Sequence, residues 1–220
     1  DRHLAPDGQA PAPRLERGVD QRISPPHARE LAADHHRHSG RLRADQEHPD
    51  PLQLHDPDSP NRIALFYLQK NSHSDLDLYV KYSHDEAKTF GDAILVTDMP
   101  GYHVVNNDRI TQLSTGRLLA PAASTPDVTE VNHFESRCFI SDDQGQSWRA
   151  GLAAVDLPKR GAMEPEVIEL EDGRVLMIMR NQLGTISKAY SNDGGETWSE
   201  PSSLGPIAPE APATLRRIPS

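Results

Sequence analysis

The chain has 220 residues and a formal charge of −10, from 23 Lys and Arg against 33 Asp and Glu. An acidic chain without a basic block is poorly suited to nucleic acid or an anionic membrane surface. No run approaches the roughly 18 apolar residues of a membrane-spanning helix, and the single cysteine, Cys138, excludes an internal disulfide.

Residues 1–60 contain no Phe, Trp or Tyr, yet hold nine of the 19 prolines and most of the histidines, including His35, His36 and His38. Val19 and Ile23 are their only β-branched aliphatics. Such a stretch buries too little apolar surface to offset its chain entropy. It is expected to be disordered or non-native, because Arg/His/Pro/Ala-rich text without aromatics is what a displaced reading frame of a GC-rich gene yields. Metal binding by the histidine run is the alternative. The first residues, DRHLAPDGQAPAPRLERG, lack the apolar core of a signal peptide.

From residue 61 the texture changes. Arg62–Gln69 (RIALFYLQ) is a short apolar run bounded by Pro60 and a polar turn, and Asp75–Ser83 (DLDLYVKYS) alternates apolar and polar. Both patterns predict strands. Asp108–Leu113, the turn STG and Arg117–Ala123 predict a hairpin, followed by a strand over Glu135–Ser141. Pro165–Leu170, the turn EDG, Arg174–Arg180 and Thr185–Ser191 repeat that order. No stretch sustains a 3.6-residue period, so residues 61–220 read as all-β.

Each group of strands ends in an octet: SHDEAKTF at Ser83–Phe90, SDDQGQSW at Ser141–Trp148 and SNDGGETW at Ser191–Trp198. A four-strand repeat of about 40–50 residues marks propeller blades. Each octet residue has a structural use in a hairpin turn. Asp85, Asp143 and Asp193 can accept hydrogen bonds from their own turns. Gly145 and Gly195 supply positive φ. Ser83, Ser141 and Ser191 tie the flanks, and Trp148 and Trp198 anchor the blade. Calcium loops are disfavoured, because Asp at alternate positions and a closing Glu are missing; no metal or cofactor is expected. Ala87 and Phe90 replace Gly and Trp in the first octet, so a looser turn is expected there.

The octets resemble the Asp box of the sialidase (neuraminidase) superfamily. The resemblance covers about residues 61–220 and implies a six-bladed β-propeller with only about three blades present, plus a first strand of another in ATLRRIPS. On this reading the chain is a fragment of a longer protein, and an incomplete propeller with open edges is expected to be poorly stable. Asp boxes also occur in propellers without sialidase activity, so function must come from other residues.

The stretch AMEPEVIELEDGRVLMIMRN at Ala162–Asn181 is similar to a sialidase blade start: a Glu, an LxDGRxL hairpin, then an Arg. Glu164 and Arg180 occupy those places. In the family the Glu polarises a tyrosine nucleophile and the Arg is one of three that grip the substrate carboxylate. The chemistry suits the types, since a carboxylate can act as base for a phenol and a guanidinium offers a bidentate fork. Glu164 could instead cap a loop and Arg180 pair with a surface acid. Glu166 competes for the Glu role. In the preceding blade Asn107, Asp108 and Arg109 fall at the places of Glu164, Pro165 and Glu166. Asp108 is a candidate acid/base or sugar-binding group, Asn107 a binding group, and Arg109 a binding group or ion-pair partner.

The departures are specific. The family's acid/base Asp should lie at Asn71 or Ser72, neither an acid, while Asp75 and Asp77 are displaced. One Arg of the triad should lie within residues 1–60, and the third Arg and the Tyr after Ser220; Arg217 does not fit securely. Three functions stay open: an exo-α-sialidase, a sialidase-like propeller that binds or cleaves another glycan, and a non-catalytic repeat module. The resemblance implies a glycan substrate and leans towards an extracellular or periplasmic location.

Overall fold

The computed structural model describes residues 46–53 and 61–218. The chain divides after Arg37, and every described residue lies in the second compact unit, His38–Ser220. The expectation of disorder or a displaced frame for residues 1–60 falls largely outside the described residues, as does the histidine run. Within that stretch β1 (Gln46–Gln53) forms backbone pairs with its neighbour β2.

The described residues are all-β. Three antiparallel meanders follow one another. The first runs β1, β2 (Ile63–Lys70), β3 (Leu76–Ser83) and β4 (Ile94–Leu95). The second has a first strand split into β5 (Tyr102–Val104) and β6 (Thr111–Gln112), then β7 (Leu118–Thr125), β8 (Glu135–Ser141) and β9 (Arg149–Ala150). The third is β10 (Met163–Glu169), β11 (Val175–Arg180), β12 (Thr185–Ser191) and β13 (Ser202–Ile207). A single parallel pair, Leu76 with Tyr102, joins the first two meanders into one sheet, and the third forms its own four-stranded sheet.

Burial follows the sequence pattern. In β3 Leu76, Leu78 and Val80 are buried while Asp77, Tyr79 and Lys81 are partly exposed, the period-2 signature of a strand with one face in the core. β7 is buried along its whole length because both of its faces pack. Leu118, Ala120 and Ala122 join Phe66, Leu78, Val80 and Trp148. Leu119 turns to the other side and packs with Val167, Met177, Met179 and Ala189 of the third meander. The alanines let the meanders approach closely.

Two hairpins share one turn. Leu113 N donates to Arg117 O at 2.8 Å and Leu170 N to Arg174 O at 2.7 Å, while Gly116 and Gly173 sit at φ 88° and 82°. That is the three-residue hairpin with a left-handed closing glycine. ATLRRIPS forms no strand among its described residues, 213–218. Leu215 N instead donates to the Glu166 carboxylate at 2.8 Å.

The octets close identically. In each, the Ser hydroxyl donates to the Asp carboxylate: Ser83 to Asp85 at 2.8 Å, Ser141 to Asp143 at 2.8 Å and Ser191 to Asp193 at 2.7 Å. The backbone N–H four residues after each Ser donates back to that hydroxyl, at 3.0, 2.7 and 2.8 Å. Each Asp also accepts from the backbone N–H and hydroxyl of Thr89, Ser147 or Thr197. The first turn is therefore not looser, contrary to the sequence-based expectation. Its hydrogen bonds hold Ala87 at φ 61°, a conformation that costs a non-glycine residue about 1–2 kcal/mol.

The tryptophans join meanders. Trp148 packs edge-to-face on Phe66 of the first meander at 5.9 Å, and its Nε1 donates to Gly145 O at 3.2 Å. Tyr82 donates to the same carbonyl at 2.9 Å, and burial pushes its phenol up to about 12. A Cβ at Gly145 would stand 1.8 Å from the Tyr82 oxygen, so close approach as well as φ requires glycine there. Trp198 packs on the cluster shared by the second and third meanders. Arg117 reaches from the second meander to the third octet, donating to Asp193 O and Gly194 O at 3.1 Å each while also gripping Asp142.

Trp148→Ala is expected to cost about 3–5 kcal/mol, read as a lowered urea midpoint of the full chain. Turn hydrogen bonds from Thr89 and Ser83 hold Asp85 down to about 2. Asp143 and Asp193 also lie below the usual range, because serine and threonine donors outweigh partial burial. A depressed carboxylate contributes stability fully above its ordinary value of 3.8 and loses it as pH falls through the folded value. Urea midpoints should therefore hold from neutrality to about pH 4 and decline towards pH 2, and less steeply in Asp143→Asn.

Candidate active site at the bulged first strands

The octets occupy one end of the strands, and the candidate residues lie at the other. Both first strands break register there. In the third meander Met163 pairs with Arg180 and Glu166 with Ile178, so Glu164 and Pro165 together oppose Met179. Pro165 has no N–H for the ladder, and a bulge is where a strand accommodates proline. Glu164 takes φ 48°, left-handed for a side chain that gains nothing locally from it.

In the second meander six residues, 105–110, oppose the three between Leu119 and Ala123. Pro121 sits opposite that gap, and a bulge is where a strand accommodates proline. Asn106, Asn107, Asp108 and Arg109 therefore form a wider bulge, with Asp108 at φ 58°. Asp108–Leu113 was expected to be one strand; only Thr111–Gln112 pairs, because the three extra residues must loop out.

The third-meander bulge turns the Glu164 carboxylate onto Arg180, whose Nη1 donates to it at 2.9 Å. Both side chains are about one-fifth exposed, 22% and 21%. Nη2 of Arg180 donates to Glu210 at 3.2 Å. Partial burial opposes the Arg180 charge, but Glu164 and Glu210 outweigh it and raise its pKa. The pair borders a cleft of about 170 Å³ walled by Val104, Ala123, Phe134 and Met163, with Arg160 at its rim. Val104 also lines a larger cleft of about 450 Å³ that includes Leu76, Tyr102, Asn107 and Arg109, so the two adjoin. The arrangement brings a cationic fork, a carboxylate and an apolar wall to one cleft.

The other candidates divide. Asn107 lines the larger cleft. Asp108 is 72% exposed at its side chain, lines neither cleft, and pairs with Arg216. Arg109 turns inward to the Glu166 carboxylate and to Thr214. Its side chain is 7% exposed and that of Glu166 is 2% exposed. Glu166 also accepts from Arg216 and Leu215 N, so its carboxylate is committed to joining chain segments and is not free to meet a substrate. Asp77 accepts from Thr97 at 2.8 Å, and burial raises its pKa. It points away from the face on which Leu76 lines the larger cleft. Arg217 bonds Glu169 O and pairs with Glu171, away from either cleft. Arg160, Gln182, Glu210 and Arg216 were missed from the sequence. None of the four carried a local signal in the sequence. Among the described residues no group of His, Cys, Asp or Glu could hold a metal ion, and no helix is long and apolar enough to cross a membrane.

The octets thus stand at one end of the strands, and the bulged carboxylate and its guanidinium at the other. The BNR repeat-like domain family matches residues 27–217. The chain belongs to this family. This BNR repeat-like chain is 30% identical over 131 residues to an anhydrosialidase of Macrobdella decora, covering 56% of the chain. It is 36% identical over 73 residues to a sialidase of Micromonospora viridifaciens, covering 32% of the chain. The matched segments span only 16% and 11% of those proteins. Among solved structures, a Dyadobacter fermentans protein of unknown function aligns with a TM-score of 0.59 at 22% identity, over 74% of this chain and 51% of that one. A Hadza microbial sialidase aligns at 0.54 and 19%, over 69% and 32%. A Penicillium chrysogenum α-L-arabinanase aligns at 0.51 and 16%, over 72% and 49%. These structural likenesses concern the fold.

Glu166→Gln leaves the buried Arg109 without its counter-charge and is expected to destabilise the protein by about 3 kcal/mol or more, measured by urea denaturation. Glu169→Gln, at an exposed contact with Ser114, should shift the midpoint far less.

Proposed function

We propose that this BNR repeat-like chain is part of a sialidase-type glycoside hydrolase that releases terminal sialic acids from glycoconjugates. On this reading the three meanders are blades of a six-bladed propeller, and the adjoining clefts lie at its substrate face. The observation that carries the proposal is the Glu164–Arg180 pair: a carboxylate held on a strained bulge, 2.9 Å from a guanidinium that borders an apolar-walled cleft. The sequence likeness to a sialidase and an anhydrosialidase supports the same chemistry.

Arg180 is the group that grips the substrate carboxylate, since its fork matches two oxygens at once. Glu164 is the carboxylate that draws the proton from a nucleophilic phenol and stabilises the positive charge growing at the anomeric carbon. Asn107 hydrogen-bonds the sugar from the wall of the larger cleft. Asp108 stands outside both clefts, paired with Arg216, and Arg109 supports the wall of the larger cleft, where its contact with Glu166 keeps the neighbouring first strands together.

A second reading, a sialidase-fold protein that acts on or binds another glycan, is favoured by one observation. Asn71 and Ser72 stand where an acid/base Asp would be, and Asp77 faces away from the cleft.

Full-length protein with a fluorogenic sialoside separates these readings. Glu164→Gln is expected to lower kcat by about a hundredfold or more, and Arg180→Ala to lower kcat/KM by about ten- to a hundredfold. Absence of turnover in the parent, or unchanged turnover in both variants, defeats the sialidase reading.

A further inference from the structure

Three donors converge on one carboxylate beside the Glu164–Arg180 pair. Arg180 Nη2 reaches Glu210 Oε1 at 3.2 Å, and Arg160 Nη1 reaches the same oxygen at 3.4 Å. Gln182 Nε2 spans both oxygens, at 3.1 and 3.0 Å. Two guanidiniums and an amide around a single carboxylate make a complete carboxylate seat. The occupant is the protein's own side chain.

The fit of this occupant is incomplete. Arg180 Nε is buried and has no hydrogen-bond partner, although Nε and Nη2 share the edge that a side-on carboxylate takes in two parallel bonds. Glu210 uses only one member of that edge. An unpaired buried N–H is costly, so a carboxylate that engaged both would be held better than Glu210 is.

Glu210 is also easily displaced. It sits on a tight turn, with Ala211 N donating to Pro209 O at 2.8 Å, in a stretch after β13 that forms no strand. Its side chain is about one-third exposed, where ion pairs are weak. With Glu210 withdrawn, the charged residues lining the smaller cleft are two guanidiniums, Arg160 and Arg180, against one carboxylate, Glu164, a net charge of +1.

We propose that Arg160, Arg180 and Gln182 form a carboxylate-binding seat that Glu210 occupies in the ligand-free protein, and that an acidic sugar binds by displacing Glu210. This deepens the reading of Arg180 as the substrate-carboxylate group and rests on it. It adds Arg160 and Gln182 as specificity-determining residues and Glu210 as a competitor built into the fold.

Calorimetric titration of the full chain tests this with N-acetylneuraminic acid, glucuronic acid and the methyl ester of each. Glu210→Gln removes the competing charge at an exposed position and should tighten binding of an acid about five- to tenfold, the range set by two weak surface ion pairs. The esters should be unaffected. Arg160→Ala or Gln182→Ala, added to Glu210→Gln, should weaken acid binding again. Equal affinity for acids in parent and Glu210→Gln, equal tightening of the esters, or no binding of either acid to any variant overturns the proposal. Sialoside hydrolysis lost in Arg180→Ala with acid affinity unchanged in Glu210→Gln sinks this inference alone. Tightening for glucuronic acid in a protein that never hydrolyses a sialoside sinks the sialidase reading and leaves the seat standing.

Discussion

Glu166 is almost sealed from water, and donors from two other parts of the chain meet its carboxylate: Arg109 from the bulge before β6, and Leu215 N and Arg216 from the stretch after β13. A charge buried this way persists only if it is fully paired. The pairing sets the spacing of β6 and β10, whose contacts continue as Thr111 to Val167 O and Ser114 to Glu169. Everything at the candidate site follows from that spacing. The two clefts exist because the first strands of adjacent meanders are held side by side while their upstream residues bulge apart.

The molecule separates its tasks by strand end. At one end the octets use short polar side chains and positive φ to close turns, and Trp148, Tyr82 and Arg117 carry those turns across to neighbouring meanders. At the other end prolines sit at the breaks in register, and two of the candidate residues there, Glu164 and Asp108, are left-handed. Glu164 holds a left-handed conformation unfavourable for its residue type, whereas Asp108 is of a type that tolerates it. Such strain persists only where surrounding structure over-determines it, and here the surroundings are well-paired hairpins below each bulge.

Much of this was legible along the chain. The alternation in β3, the apolar run of β2, the two Gly-Arg hairpins and the octets each rest on local rules: period-2 burial, left-handed glycine, side-chain caps of a turn. They located most of the long strands and separated the octets from any site. The resemblance to a sialidase blade start named Glu164 and Arg180 together, and the hairpin between them brings the carboxylate and guanidinium to 2.9 Å. The short strands β4, β5, β9 and β13 carried no such pattern; three of them have two or three residues each, and their pairing is decided by a neighbour.

The charged clusters were not legible. Arg109 and Glu166 are 57 residues apart, Arg216 and Asp108 are 108 apart, and Arg180 and Glu210 are 30 apart. No periodicity relates the members of these pairs, so the sequence determined which residues were polar and at which strand end they stood. Only the tertiary structure decided that Glu166 is spent on holding chain segments together, that Asp108 faces Arg216, and that Glu210 fills the seat beside Arg180. The physical reason is that local backbone rules act over a few residues, whereas the partner of a long charged side chain is chosen by the packing of one meander against the next.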